Sequence, residues 1–232
     1  MKFSLACLGI LVALLIAIPA TADQVYVVGN PPDPGEGNCF PFGCAYNAEF
    51  QQVYAASDFN TPLLIHSLEL YNTQYNSGAT GTPVGTYTVN LSTTQYGVNT
   101  ITGNFAQNEG ADEMQVFSGS ISQAWNFGNT LVITFSKDYY YDPAKGNLLV
   151  DVVGNGVEVP YGAIYYDVNS TGQFFSRVYC SGGVDCGNNG TPQLGYGWVT
   201  GFDTSGVPEP GTLLMLGTGL LGAVGAIRRR MV

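Results

Sequence analysis

Residues 86–92 read Thr-Tyr-Thr-Val-Asn-Leu-Ser, so Tyr87, Val89 and Leu91 alternate with Thr and Asn. In an extended chain successive side chains point to opposite faces, so this run buries one face and wets the other. Leu131, Ile133 and Phe135 repeat the pattern against Thr130, Thr134 and Ser136. Further short runs of this kind cover 63–71, 114–117, 148–153, 163–168, 174–179 and 197–202, and the period of two begins near Gln52. Tyr, Val, Thr, Ile and Phe dominate them, residue types that pack well on a pleated surface. Turn clusters separate the runs: Asn76-Ser77-Gly78, Asn108-Glu109-Gly110, Gly154-Asn155-Gly156 and Asn188-Asn189-Gly190. Residues 30–45, rich in Pro and Gly, read as loop outside the core. No stretch between 24 and 205 keeps a 3.6-residue period, and no internal repeat points to a propeller or solenoid. The expectation is an all-β protein: a single sandwich domain of about nine strands, jelly-roll-like, with an immunoglobulin-like sandwich as the alternative. Helix is expected only at residues 3–20 and 211–230.

The two ends differ from this middle. Lys2 precedes an uncharged apolar run from Leu5 to Ile18, followed by Pro19-Ala20-Thr21-Ala22. Ala20 and Ala22 are the small residues a signal peptidase requires, so residues 1–22 read as a secretory signal peptide forming a helix, cleaved after Ala22. The run is too short for a membrane span. Cys7 lies at the start of the apolar run, where a lipidated Cys would follow it. The organisation expected is therefore a signal peptide (1–22), a β-sandwich domain (23–206) and a C-terminal segment (207–232).

All 17 acidic residues, but only Lys137, Lys145 and Arg177 among the basic ones, lie between residues 23 and 210. Nucleic acid requires a basic footprint, so it is not an expected partner, and anionic lipid headgroups are disfavoured for the same reason. A solvated acidic surface accounts for this composition. Four cysteines remain after the signal peptide: Cys39, Cys44, Cys180 and Cys186. An even number in an oxidising compartment reads as disulfides. Proximity favours Cys39–Cys44 and Cys180–Cys186, each stapling a Gly-containing loop. The spacings do not match the usual zinc pairs, and the single His is far away in sequence.

The tail reads Val207-Pro208-Glu209-Pro210-Gly211, then a charge-free stretch from Thr212 to Ile227, then Arg228-Arg229-Arg230. A helix over the stretch spans about 24 Å, against a hydrocarbon core of about 30 Å. It crosses if the arginines snorkel and the bilayer thins locally. Positive charges stay cytoplasmic, which places Pro208 and the domain outside. The order of these parts closely resembles the PEP-CTERM sorting signal of Gram-negative bacteria. Pro208, Glu209 and Pro210 match the motif, Thr212–Ile227 its Gly- and Leu-rich span, and Arg228, Arg229 and Arg230 its basic stop. The resemblance implies an exosortase, a membrane transpeptidase-like enzyme, as processing partner. It also implies attachment to the inner membrane through the C-terminal helix until processing, and an association with exopolysaccharide and biofilm. Tyr141-Asp142-Pro143 followed by Gly146-Asn147-Leu148-Leu149 resembles the bodies of other such proteins more weakly, and no activity follows from it.

Chemistry within the domain is sparse. A Ser-His-Asp triad would have to use His66, which alternates with Leu64 and Leu68 and reads as sharing their face; there is no G-x-S-x-G elbow. H-E-x-x-H, P-loop and dinucleotide glycine patterns are absent. Asp142, Asp151 and Asp167 are scattered acids that nothing in the sequence pairs. Calcium at Asn108-Glu109-Gly110-Ala111-Asp112-Glu113 would lack EF-hand spacing, so neither metal nor other cofactor is expected. Trp125 and Trp198 read as core. At least one ring of Tyr139-Tyr140-Tyr141 must face outward if the segment is extended. The functional expectation is a non-enzymatic, exported envelope or matrix protein at the outer surface, with extracellular polysaccharide as its ligand class. The alternative is an envelope polysaccharide hydrolase using paired carboxylates.

Overall fold

The computed structural model of the protein describes residues 24–44, 49–158, 162–180 and 190–206. Ala20, Ala22, Cys186, Pro208, Glu209, Pro210, Arg228, Arg229 and Arg230 lie outside the described residues, as do the proposed signal and membrane helices. Among the described residues no helix is long and apolar enough to cross a membrane.

The chain is all-β. Its strands are β1 (Gln24–Val28), β2 (Glu49–Tyr54), β3 (Leu63–Tyr71), β4 (Val84–Thr94), β5 (Met114–Gly119), β6 (Thr130–Tyr141) and β7 (Asn147–Glu158). There follow β8 (Val168–Asn169), β9 (Phe175–Tyr179), β10 (Thr191–Gln193), β11 (Gly197–Trp198) and β12 (Thr200–Gly206). One sheet has the order β1-β12-β3-β6 and the other β10-β9-β2-β7-β4-β5, with β11 and β8 as a separate short ribbon. The ladders nest. β4 pairs with β5, β3 with β6, β2 with β7 and β1 with β12, all antiparallel. Strands β8 to β11 interrupt this ribbon between β7 and β12, and β9 extends the larger sheet beyond β2.

The alternation seen in the sequence determines which side chains meet. Tyr87, Val89 and Leu91 of β4, Val150 and Val152 of β7, and Leu131, Ile133 and Phe135 of β6 are all buried in one core shared by both sheets. Tyr139 and Tyr141 are buried while Tyr140 is 46% exposed, as an extended segment demands. Trp125 and Trp198 are core residues at 1% and 0% exposure.

Four expectations need correction. First, residues 30–44 are loop but not outside the core. Phe42 is fully buried, tilted against Tyr87 at 5.0 Å and stacked on Trp198 at 5.7 Å. Its ring packs among Tyr87 of the larger sheet, Tyr166 and Trp198 of the short ribbon, so the loop supplies core at this place. Burying one such ring contributes about 1.5–3 kcal/mol. The Cys39–Cys44 disulfide closes this loop, with Cα atoms 5.2 Å apart. Cys180 is also disulfide-bonded.

Second, the run 163–168 is mostly irregular, tied by the Asn38–Tyr166 bridge, with strand only at Val168–Asn169. Third, the domain contains some helix: a short α1 (Phe105–Asn108) and 3-10 turns at Ala56–Asp58 and Pro143–Lys145. Asn104 and Asp142 cap α1 and the second turn, since their side chains accept from Gln107 N and Ala144 N. Fourth, His66 does not share a face with Leu68. Ile65 pairs with Tyr139 but Ser67 with Thr134, so His66 alone opposes residues 135–138. This bulge shifts the alternation, leaving His66 on the outer face and burying Leu68 at 1% exposure.

Candidate functional site

The most chemically distinctive region lies on the outer face of the larger sheet. Residues paired across antiparallel strands share a face. Asp151 of β7 is paired with Asn90 of β4 on one side and Gln51 of β2 on the other. The segment between β4 and β5 folds over this row. Phe105 and Ile101 pack on Val53, Leu149 and Val178 in a second, smaller core. Beside it the amides interlock: Gln51 donates to the Phe105 carbonyl at 3.2 Å, and Asn108 donates to Gln51 Oε1 at 3.0 Å and to the Thr102 carbonyl at 2.9 Å. Gly110 N donates to Ser92 Oγ at 3.0 Å, and a Cβ at Gly110 would collide with the Thr93 carbonyl, so glycine permits this close approach.

The result is a fixed position for Glu109. One carboxylate oxygen each from Glu49, Glu109 and Asp151 lie within 4.8 Å of one another. Asp151 is 4% exposed, and its Oδ1 has no hydrogen-bond partner. Desolvation, followed by the charges of Glu49, Glu109 and Glu113, pushes its carboxyl well above the usual carboxylate range. Glu109 is pushed up by burial and by Glu113. The sequence left Asp151 unpaired, and the structure brings it to Glu49 and Glu109 rather than to the other isolated acids. Asp142 and Asp167 have structural duties instead: Asp142 caps the turn at 143–145, and Asp167 accepts from Thr73 N, Thr73 Oγ1 and Gln74 N.

Next to the acidic trio runs an open groove of about 410 Å³. Tyr96 supplies an aromatic ring, and Gln95, Gln107, Glu109, Asp112 and Lys145 supply amides, carboxylates and an ammonium. Asp112 is itself held, accepting from Thr93 N at 2.7 Å and from the Tyr139 hydroxyl at 3.0 Å. Tyr96 is positioned through its main chain: Asn147 donates to its carbonyl and its N–H donates to Thr94 Oγ1. The sequence reading missed Tyr96 and Glu49, which no motif distinguishes.

His66 has acquired partners. Its Nδ1 lies 2.9 Å from Asp138 Oδ1 and its Nε2 2.9 Å from Ser205 Oγ. The order of contacts is that of a Ser-His-Asp triad. Acyl transfer also requires oxyanion donors and a cleft to hold substrate. Here the Asp138 side chain is 50% exposed on the outer face, and the grooves at β1, Tyr96 and Asp167 have none of the three residues in their walls.

A β-sandwich whose last strand runs directly into a sorting tail defines a class: an exported protein addressed to the cell envelope. Residues 206–230 match the PEP-CTERM protein-sorting motif, starting on the final residue of β12. The match marks the chain as an exosortase substrate with a membrane-anchored C-terminus. No curated protein and no solved structure matches the chain.

Proposed function

We propose that this protein is a non-enzymatic envelope or matrix protein whose sandwich binds extracellular polysaccharide in the Tyr96 groove. Its organisation is a signal peptide to residue 22, one β domain over 23–206 and a sorting segment over 207–232. The groove carries the reading. A sugar offers a C–H face that packs on an aromatic ring and a rim of hydroxyls that need donors and acceptors, and Tyr96 with Gln95, Gln107, Glu109 and Lys145 offers both. We further infer a jelly-roll-like sandwich. The first strand pairs with the last and the second with the seventh, where an immunoglobulin-like sheet would place the first two strands together.

Both ends of the domain bear on how it is displayed. Gln24, just past the proposed cleavage bond, pairs with Thr204, just before the tail. The start of β1 and the end of β12 therefore lie at the same end of the smaller sheet; the positive-inside rule supports Pro208 on the outer side of the membrane and the arginines on the cytoplasmic side.

Two expected outcomes test this reading. Tyr96→Ala is expected to reduce retention on exopolysaccharide at least tenfold in affinity electrophoresis, while leaving the thermal midpoint within a few degrees. Unchanged retention would remove the groove from the proposal. Against an acyl-transfer reading of the His66 contacts, Ser205 is expected to stay unlabelled by a fluorophosphonate probe. Labelling at Ser205 that His66→Ala abolishes would establish a working nucleophile and overturn the non-enzymatic reading.

A further inference from the structure

We propose that Glu49, Glu109 and Asp151 form a calcium site that fixes the segment between β4 and β5 onto the larger sheet. Calcium sits 2.3–2.6 Å from its oxygen ligands, so two oxygens on opposite sides of one ion lie about 4.6–5.2 Å apart. One oxygen from each of the three carboxylates lies within 4.8 Å of the others, close enough for all three to reach a single ion. The orphaned Oδ1 of Asp151 is the independent observation. A carboxylate buried to this degree normally has a paired charge or full hydrogen bonding. Asn90 interacts with the Asp151 carboxyl, yet Oδ1 has no partner. Among the described residues no Lys or Arg forms an ion pair with Asp151 or Glu109.

The donor set selects the ion. It consists of oxygens only, without the nitrogen or sulfur that zinc prefers. The three ligands come from two strands and a loop, a geometry that tolerates the irregular, high coordination of calcium better than the strict octahedron of magnesium. The remaining positions fall to water. The ligands are also pre-placed, because the Gln51–Asn108 amide pair already holds the loop that carries Glu109. An exported protein meets calcium at concentrations that match sites of about 10⁻⁴–10⁻³ M. This proposal does not rest on polysaccharide binding.

The test uses the full chain, purified in detergent and stripped with EDTA. Calorimetric titration with CaCl₂ is expected to give one site per chain, with MgCl₂ binding at least tenfold more weakly. The thermal midpoint is expected to rise by several degrees in millimolar CaCl₂ relative to EDTA. Asp151→Asn removes a buried charge, so it is expected to raise the midpoint in EDTA while abolishing the calcium-dependent rise. Glu109→Gln, at a partly exposed position, keeps the fold and is expected to weaken calcium at least tenfold. Identical wild-type midpoints in CaCl₂ and EDTA would overturn the proposal, as would folded Glu109→Gln and Asp151→Asn proteins that bind calcium like the wild type. The readout contains no glycan, so its failure is distinct from failure of the polysaccharide reading.

Discussion

Replacing Trp198 with Ala is expected to lower the stability of the domain by about 3–5 kcal/mol, the usual loss for a buried aromatic truncated in a packed core. For a domain of this size that corresponds to roughly 6–20 °C in the thermal midpoint, at about 2–4 °C per kcal/mol. Three contacts account for the size of the effect. The indole stacks on Phe50 with centroids 4.1 Å apart and planes within 12°. It also stacks on Phe42 and so holds the disulfide loop in the core. Its Nε1–H donates to the Phe40 carbonyl at 2.8 Å, so truncation removes this hydrogen bond as well as opening a cavity. Trp198→Phe keeps most of the apolar area but not the donor, and is expected to lose about half as much. The check is thermal and urea unfolding of wild type and both variants. A loss below about 1 kcal/mol for the Ala variant would show that the loop, not the indole, holds this part of the core.

Changing Pro208, Glu209 and Pro210 together to Ala is expected to leave export intact and abolish processing, an all-or-none effect. A passive anchor requires apolar length and flanking basic residues but has no use for Pro-Glu-Pro. A processing enzyme does: each proline biases the residue before it towards extended backbone, which favours an accessible peptide ahead of the apolar stretch. The structure adds a constraint. The matched motif begins on the last residue of β12, whose Thr204 is already paired with Gln24 and Ile65. The enzyme must therefore work immediately beyond the end of a strand that is paired on both sides. Fractionation of a host containing an exosortase checks this: the wild type is expected to leave the inner membrane and the triple variant to remain there. Equal distribution of both would contradict it.

The parts of the fold that were legible are those fixed by local alternation. β3 appears at the residues read for it, and β4, β5, β6 and β7 contain the runs read as strands, because one buried face imposes a period of two on each. What escaped depends on distant partners. Phe42 sits in a Pro- and Gly-rich segment with no pattern of its own, and only its contacts with the distant Tyr87, Tyr166 and Trp198 make it core. The bulge opposite residues 135–138 reverses the face of Leu68, and nothing in Leu64-Ile65-His66-Ser67-Leu68 reports it. The short ribbon of β8 and β11 is likewise set by pairing across some 30 residues.

The candidate site follows the same division. Its address was legible because the sorting motif is contiguous, with Pro208 to Arg230 in fixed order. The acidic trio was not, because Glu49, Glu109 and Asp151 are 60 and 42 positions apart and meet only through the β2–β7 register and the folded-over loop. Glu109 was visible as part of an acidic loop, and Asp151 as an isolated acid within an otherwise apolar run. The second signal was the informative one, since a carboxylate at an interior strand position must find a partner or neutralise. Ser205 and Asp138 illustrate the converse: both flank His66 in space, and no spacing in the chain announces either.

The intact mass of the protein recovered from the cell envelope tests the central claim most directly. It is to be measured in paired hosts that differ only in the exosortase. With the enzyme present, the recovered chain is expected to begin after Ala22 and to lack Arg228, Arg229 and Arg230. Without it, the same chain is expected to retain them. An identical mass in the two hosts, with the arginines still present, would show that the tail is only an anchor and that the protein is not sorted by an exosortase.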